Sequence, residues 1–249
     1  MSISEKLIQI AQNEQKVYDA GKHAEWEAFW DAAQENGSLT NMPYGFCSKV
    51  WNDTTFKPKY DIRPVGNATS LFRYAQITNL PGILEKQGIV IDFSNATNLE
   101  YLLQWSSVTR IGTVDCTGLT SLDLKSSFAD CPIKTISELR LKPDIKFSNT
   151  FKNAKELENI IIADKSGFTA GAYGTGSGFD YKYSPVIGND LDLSSCTKLT
   201  WTSLVSVICA LVDYSGDGGV HTLTLGEANL NKLSDSEKAM VTQKGWVLI

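Results

Sequence analysis

Histidine is almost missing from this chain; His23 and His221 are the only two. With them go the common catalytic patterns: no HExxH, no nucleophile elbow and no cysteine–histidine pairing is present. None of the five cysteines (Cys47, Cys116, Cys131, Cys196, Cys209) stands in CxxC spacing, and their number is odd. They read as buried thiols of a protein made in a reducing cytosol, with a disulfide framework or a zinc site as the alternative. No metal and no cofactor is expected. There is no basic run, and the net charge is −5, so a phosphate-tracking groove and a nucleic-acid partner are not expected. The longest apolar run, Leu204 to Val212, is broken by Ser206 and is far too short to span a bilayer. The opening MSISEKLIQIAQNEQ lacks a basic segment followed by an apolar one, so it is not expected to act as a signal peptide. Proline is absent before Pro43, which leaves the first stretch free to be helical.

What the chain does have is a recurrence. Phe72-x-x-Ala75-x-Ile77-x-x-Leu80 is followed by Leu103-x-x-Ser106-x-Val108-x-x-Ile111 and Phe128-x-x-Cys131-x-Ile133-x-x-Ile136. A fourth copy, Phe151-x-x-Ala154-x-x-Leu157-x-x-Ile160, carries one extra residue, and the first positions are 31, 25 and 23 residues apart. A second pattern, Asp-x-Ser/Thr-x-x-Thr-x-Leu, starts at Asp92, Asp115 and Asp192, each time after a short strand-like run. An Asp followed two residues on by Ser or Thr closes a turn on its own backbone amides, so these acids read as turn formers before they read as catalysts or ligands. The small residue of each copy (Ala75, Ser106, Cys131, Ala154) suits a close approach, and Phe72, Leu103, Phe128 and Phe151 suit a stacked core. Recurrence at this period predicts a solenoid. The expected fold is α+β: a short leucine-rich-repeat solenoid of strand–turn–arc repeats of about 23–25 residues, with a long N-terminal α-helix and a small C-terminal helix/strand cap.

Residues 1–36 are expected to supply the helix, over 3–35, with Ser2 and Glu5 as a capping box and Asn36-Gly37 as its stop. Ile3, Leu7, Ile10 and Val17 share one stripe. That stripe packs on the protein's own body or drives self-association, with a trimer favoured. Residues 37–70 read as an irregular, aromatic-rich connector, 71–225 as the solenoid and 226–249 as the cap. Residues 163–190 break the period. Their six glycines between Gly167 and Gly188 alternate with Phe168, Tyr173, Phe179, Tyr181 and Tyr183, which suits either a flexible insertion or a binding loop. A helix is predicted over 201–212, a capping box at Ser234 and Glu237, and strands over 220–225 and 246–249. Asp213-x-Ser215-x-Asp217-Gly218 opens like a calcium loop, but Thr224 stands where the closing acid belongs. No enzyme is expected. A polysaccharide-degrading solenoid enzyme is the remote alternative, because paired carboxylates are set in space and this chain has 28 acids.

The repeat core resembles the BspA-like leucine-rich repeats of bacterial and phage surface proteins. The whole chain looks like leucine-rich-repeat proteins encoded by bacteriophages and prophages of gut Firmicutes. The stretches that carry this are Lys16 to Lys22, Phe29-Trp30-Asp31, Phe56-Lys57-Pro58-Lys59-Tyr60, His221 to Leu225 and Lys244-Gly245-Trp246. The resemblance implies a virion component of the tail, baseplate or fibre kind that attaches to the host surface. Its partners would be further copies of itself, other virion proteins and a host cell-surface glycan or protein. A bacterial surface adhesin, located on the cell surface, is the alternative, and a virion decoration protein without a receptor the second.

Overall fold

A computed structural model of the chain describes residues 34–35, 38–39, 61–75, 90–166, 171–175, 178–182, 185–216 and 220–249. The first strands are β1 (Gln34–Glu35), β2 (Ser38–Leu39), β3 (Asp61–Ile62), β4 (Gly66–Asn67) and β5 (Ala96–Asn98). Three longer parallel strands follow, β6 (Arg110–Asp115), β7 (Thr135–Arg140) and β8 (Asn159–Ala163). Then come β9 (Gly171–Thr175) paired antiparallel with β10 (Gly178–Lys182), and β11 (Leu191–Asp192). Helix α1 (Trp201–Ala210), strand β12 (His221–Thr224), helices α2 (Glu227–Leu230) and α3 (Asp235–Gln243), and strand β13 (Trp246–Leu248) complete the order.

Two features correct the expected architecture. The described residues carry three short helices, of 10, 4 and 9 residues, and five separate sheets of two or three strands. No long N-terminal helix and no continuous solenoid forms among them. The helix expected over 3–35 lies outside the described residues except for its last two, and Gln34–Glu35 are a strand. The register pairs Gln34 with Leu39 and Glu35 with Ser38, so the residues between are Asn36-Gly37. Asn-Gly between two strands is the strongest short-range hairpin signal, and here it outweighs its reading as a helix stop. The solenoid fails for a different reason. Sheet β6–β7–β8 pairs Arg110 with Thr135 and Thr135 with Asn159, but it stops at β8. The next strand's place is taken by α1: Ser203 Oγ accepts from the Ile160 amide at 3.0 Å and Ser206 Oγ from the Ile162 amide at 2.9 Å. A sheet edge covered by a helix needs no further strand. Strands β11, β12 and β13 form a parallel sheet of their own.

Between the strands run four arcs with a repeating backbone. Among the described residues, those other than glycine at positive φ are Ser70 and Tyr74, Tyr101 and Trp105, Ser126 and Asp130, Asn149 and Asn153, four residues apart in each arc. The left-handed turn aims the amide at the next arc. Ser70 donates to Glu100 O, Tyr74 to Gln104 O, Tyr101 to Lys125 O, Ser126 to Ser148 O and Asp130 to Lys152 O, at 2.8 to 3.2 Å. Inside the arcs, Phe72, Leu103, Phe128 and Phe151 are buried, and the rings of Phe128 and Phe151 stack with centroids 5.4 Å apart. Ala75, Ser106, Cys131 and Ala154 are buried beside them.

The turns close as their sequence dictates. Asp92, Asp115 and Asp192 accept from the amides of Ser94, Thr117 and Ser194 at 2.9 to 3.0 Å. Asp164, Asp213 and Asn67 repeat the device with Ser166, Ser215 and Thr69. One glycine is dictated by packing: a Cβ on Gly118 would lie 2.5 Å from Ser94 O of the preceding turn. Helix α1 begins at Thr200, whose hydroxyl accepts from the Ser203 amide. Its carbonyl end is covered by Lys244, whose Nζ reaches the carbonyls of Ile208, Cys209 and Leu211 at 3.1, 3.0 and 2.9 Å. Helix α3 has the capping box of Ser234 and Glu237, and Glu237 also accepts from Trp201 Nε1 at 2.7 Å, which ties α3 to α1.

Candidate functional site

The left-handed arc positions are a structural requirement, and most residues there fit it. Asn and Asp reach positive φ at low cost because their short polar side chains bond locally. Asp130, Asn149 and Asn153 follow that rule. Tyr74, Tyr101 and Trp105 do not. An L-residue in this region costs roughly 1–2 kcal/mol, and nothing about an aromatic ring reduces that. Strain of this kind clusters at binding surfaces, where something outside the backbone compensates it.

The three rings meet around Arg73. Its guanidinium carbon lies 4.6 Å from the Trp105 ring centroid, 5.1 Å from Tyr101 and 5.2 Å from Tyr74. Tyr74 and Trp105 stack on each other, with centroids 5.3 Å apart and planes at 26°. They come together because the arcs place residues 74 and 105 in one row and residue 101 in the row beside it. Lys125 approaches from the next arc, 5.7 Å above the Tyr101 ring. A side-chain hydrogen bond to Tyr101 holds the Lys125 ammonium above its usual range. Yet Tyr74 remains 50% and Trp105 44% exposed. An exposed stacked pair is worth about 0.5–1.5 kcal/mol and an exposed cation–π contact about 0.5–1 kcal/mol, so these contacts roughly cancel the backbone strain. Beneath the shelf, Ser70 Oγ and Gln104 Oε1 are buried with no hydrogen-bond partner among the described residues.

Along the same row the chemistry changes. Asp130 and Asn153 occupy the positions equivalent to Tyr74 and Trp105, and Asn153 Nδ2 donates to Asp130 Oδ1 at 2.8 Å. Beyond the last arc lies a cleft of about 480 Å³, where Asn149 and Lys152 face Asp190 just before β11, Asp192 of β11, and Thr222 and Thr224 of β12. Phe147 and Ser195 complete its lining. Ser195 stands at the turn position that Gly118 holds earlier in the chain, where no room is left beside the preceding turn. A second cleft, about 580 Å³, is bordered by Met240, Gln243 and Lys244, and Lys244 is engaged there as the α1 cap.

No family model matches the chain, and no curated protein or solved structure matches it.

Among the described residues, no group of three or more His, Cys, Asp or Glu is arranged to hold a metal ion. Asp213, from the calcium-like stretch, is held below the usual carboxylate range by the Ser215 hydroxyl and amide that close its turn. For Asp92, burial alone would raise the carboxyl, but the Ser94 amide and hydroxyl and the Arg63 guanidinium outweigh it and lower it. His221 packs against Tyr214 and Trp246, with ring centroids 4.5 and 5.3 Å away. Cys116, Cys131, Cys196 and Cys209 are free and buried. Burial pushes the Cys131 and Cys196 thiols up to about 12 and Cys209 to about 11, which leaves them inert as nucleophiles at neutral pH.

Of the binding residues expected in the 163–190 segment, three are placed by their backbone. Tyr173, Phe179 and Tyr181 stand on the β9–β10 hairpin, with Tyr173 registered opposite Asp180 and Phe179 opposite Gly174. The segment expected as a loop is therefore partly a hairpin. Phe168 and Tyr183 lie outside the described residues, as do Ile3, Leu7, Ile10 and Val17. Sequence reasoning missed Arg73, Tyr74, Tyr101 and Trp105. A signal was available: the residue before each small position reads Tyr74, Trp105, Asp130, Asn153, and the last two mark a left-handed site.

Proposed function

We propose that this chain is a non-enzymatic attachment protein of a phage virion, of the tail, baseplate or fibre kind, and that the shelf of Arg73, Tyr74, Tyr101 and Trp105 is its contact surface. One observation carries the attachment reading: three large aromatics occupy backbone positions that disfavour them, and two are left exposed. Trp, Tyr and Arg are the residues that dominate binding hot spots, because they give a large, rigid contact at little entropic cost. The virion setting rests on the resemblance of the repeat core and flanking stretches. Self-association through Ile3, Leu7, Ile10 and Val17 belongs to the same reading, since several weak shelves on one particle add by effective concentration.

The test uses the full chain and its Tyr74→Asn/Trp105→Asn double variant in a cell-adsorption assay on gut Firmicutes strains. Loss of a hot spot of about 2 kcal/mol weakens adsorption about 30-fold, with the thermal midpoint changed little. Unchanged adsorption by a folded variant sinks the reading.

A further inference from the structure

The shelf is one end of a longer track, and the rest of the track says what lies on it. Resting on the attachment reading above, we infer that the ligand is an extended polysaccharide, seated with its ring faces on Tyr74, Tyr101 and Trp105 and its hydroxyls along Asp130, Asn149 and Asn153, with one end in the Asn149–Lys152–Asp190 cleft. Hydrogen-bonded backbones lie about 4.8 Å apart, so the three steps from Tyr74 to Asn153 cover about 14 Å in a straight row. That step is close to the advance of one pyranose ring in an extended chain. A sugar presents an apolar face of C–H groups and a rim of hydroxyls. The row offers an aromatic surface at its start and a carboxylate–amide pair after it, Asp130 and Asn153, already held at 2.8 Å.

The cleft fits the same chemistry. Its walls are an amide, an ammonium, carboxylates and the hydroxyls of Ser195 and Thr224, over the Phe147 ring. At about 480 Å³ it has the volume of a small-ligand site. A peptide finds less to hold. The arc amides of Ser70, Tyr74, Tyr101, Ser126 and Asp130 are already spent on neighbouring arcs, so those amides are closed to strand addition by a peptide. Between shelf and cleft the row carries polar side chains and no apolar anchor. Arg73, Lys125 and Lys152 are matched by Asp130, Asp190 and Asp192 along the track, which disfavours a strongly charged polymer such as nucleic acid.

The experiment takes cells that the full chain adsorbs to and treats them with periodate, which cleaves vicinal diols, or with proteinase K. The inference expects periodate to abolish adsorption and protease to leave it. It also expects the full chain to bind wall polysaccharide purified from those cells. Asp130→Ala/Asn153→Ala should weaken that binding about fivefold to tenfold, and Tyr74→Asn/Trp105→Asn should abolish it. Acid-hydrolysis fragments of the polymer should compete better as they lengthen, until the track is filled. Protease-sensitive, periodate-resistant adsorption overturns the polysaccharide while leaving the attachment reading intact. A monosaccharide that competes as well as the longer fragments overturns the extended track. Adsorption to no strain at all overturns both.

Discussion

The first two arcs and the last two share one backbone and differ in what they hang on it. Ser70/Tyr74 and Tyr101/Trp105 repeat the left-handed pair found at Ser126/Asp130 and Asn149/Asn153. The later arcs fill it with residues that tolerate the conformation, or with a small serine. The earlier ones place three aromatics there. Because the geometry is constant, the side chains can be compared as if grafted on one scaffold. The later arcs show what stability alone selects. The earlier arcs show a departure from it that contacts with Arg73 and Lys125 only balance. Departures of this kind are where function is to be sought.

The comparison can be broken at several points. The deepest break removes what both sets of arcs share, the large buried apolar residue of each arc, Phe72, Leu103, Phe128 or Phe151. Phe128→Ala should cost about 3–5 kcal/mol in a urea-unfolding measurement, because Phe128 is fully buried and stacked on Phe151. A smaller loss would mean that the arcs do not depend on the stack.

The small position differs between arcs too: Cys131 stands where Ala75, Ser106 and Ala154 do in the others. Its thiol is pushed up to about 12 by burial, from 9.0 when unshielded. A raised pKa in the folded state gives stability that is whole below pH 9.0 and is lost as pH rises toward about 12. The slope is about 1.4 kcal/mol per pH unit for that thiol. Cys131→Ala should therefore raise the alkaline midpoint followed by circular dichroism. No shift would refute the assignment.

Turns can be compared as well. Gly118→Ala puts a Cβ 2.5 Å from Ser94 O and should destabilise by about 1–3 kcal/mol. Ser195→Ala, at the equivalent turn beside the cleft, should stay within about 0.5 kcal/mol. Equal effects would show that the two turns are packed alike.

The finest comparison exchanges the arcs' own residues. Asn153→Trp puts a bulky ring on a left-handed residue without an Arg73 beside it, and should cost roughly 1–2 kcal/mol. The reverse change, Trp105→Asn, relieves similar strain while losing the Tyr74 and Arg73 contacts, and should leave the thermal midpoint nearly unchanged. If Trp105→Asn is strongly destabilising, the shelf is structural rather than a contact surface.

Much of the local structure was legible in the sequence. The Asp-x-Ser/Thr turns close two residues away, so their chemistry is contained in the pattern. The α1 segment expected over 201–212 forms over Trp201–Ala210, and the Ser234–Glu237 box forms as spaced. Strand His221–Thr224 falls inside the expected 220–225. The buried Phe and small residues of the arcs were legible for the same reason, since their spacing is set by local chain geometry. Asn36-Gly37 was legible in composition but not in outcome. It stops a helix or turns a hairpin, and only its flanking partners decide between them.

The site was not legible, because its members are joined across arcs. Arg73 meets Trp105 from 32 positions away (105 − 73). Nothing in either residue's neighbourhood in the chain announces that meeting. The end of the strand stack was equally hidden. Ser203 and Ser206 read as ordinary helix residues until their hydroxyls are seen taking the amides of Ile160 and Ile162. What the sequence by itself determined here are the interactions closed within a few residues: turns, caps and the alternation of buried and exposed positions. Tertiary structure alone decided where the parallel stack ends and which side chains share a surface. Both depend on which distant backbone groups remain unpaired, and an amide left open by one segment donates to whatever acceptor the fold brings to it.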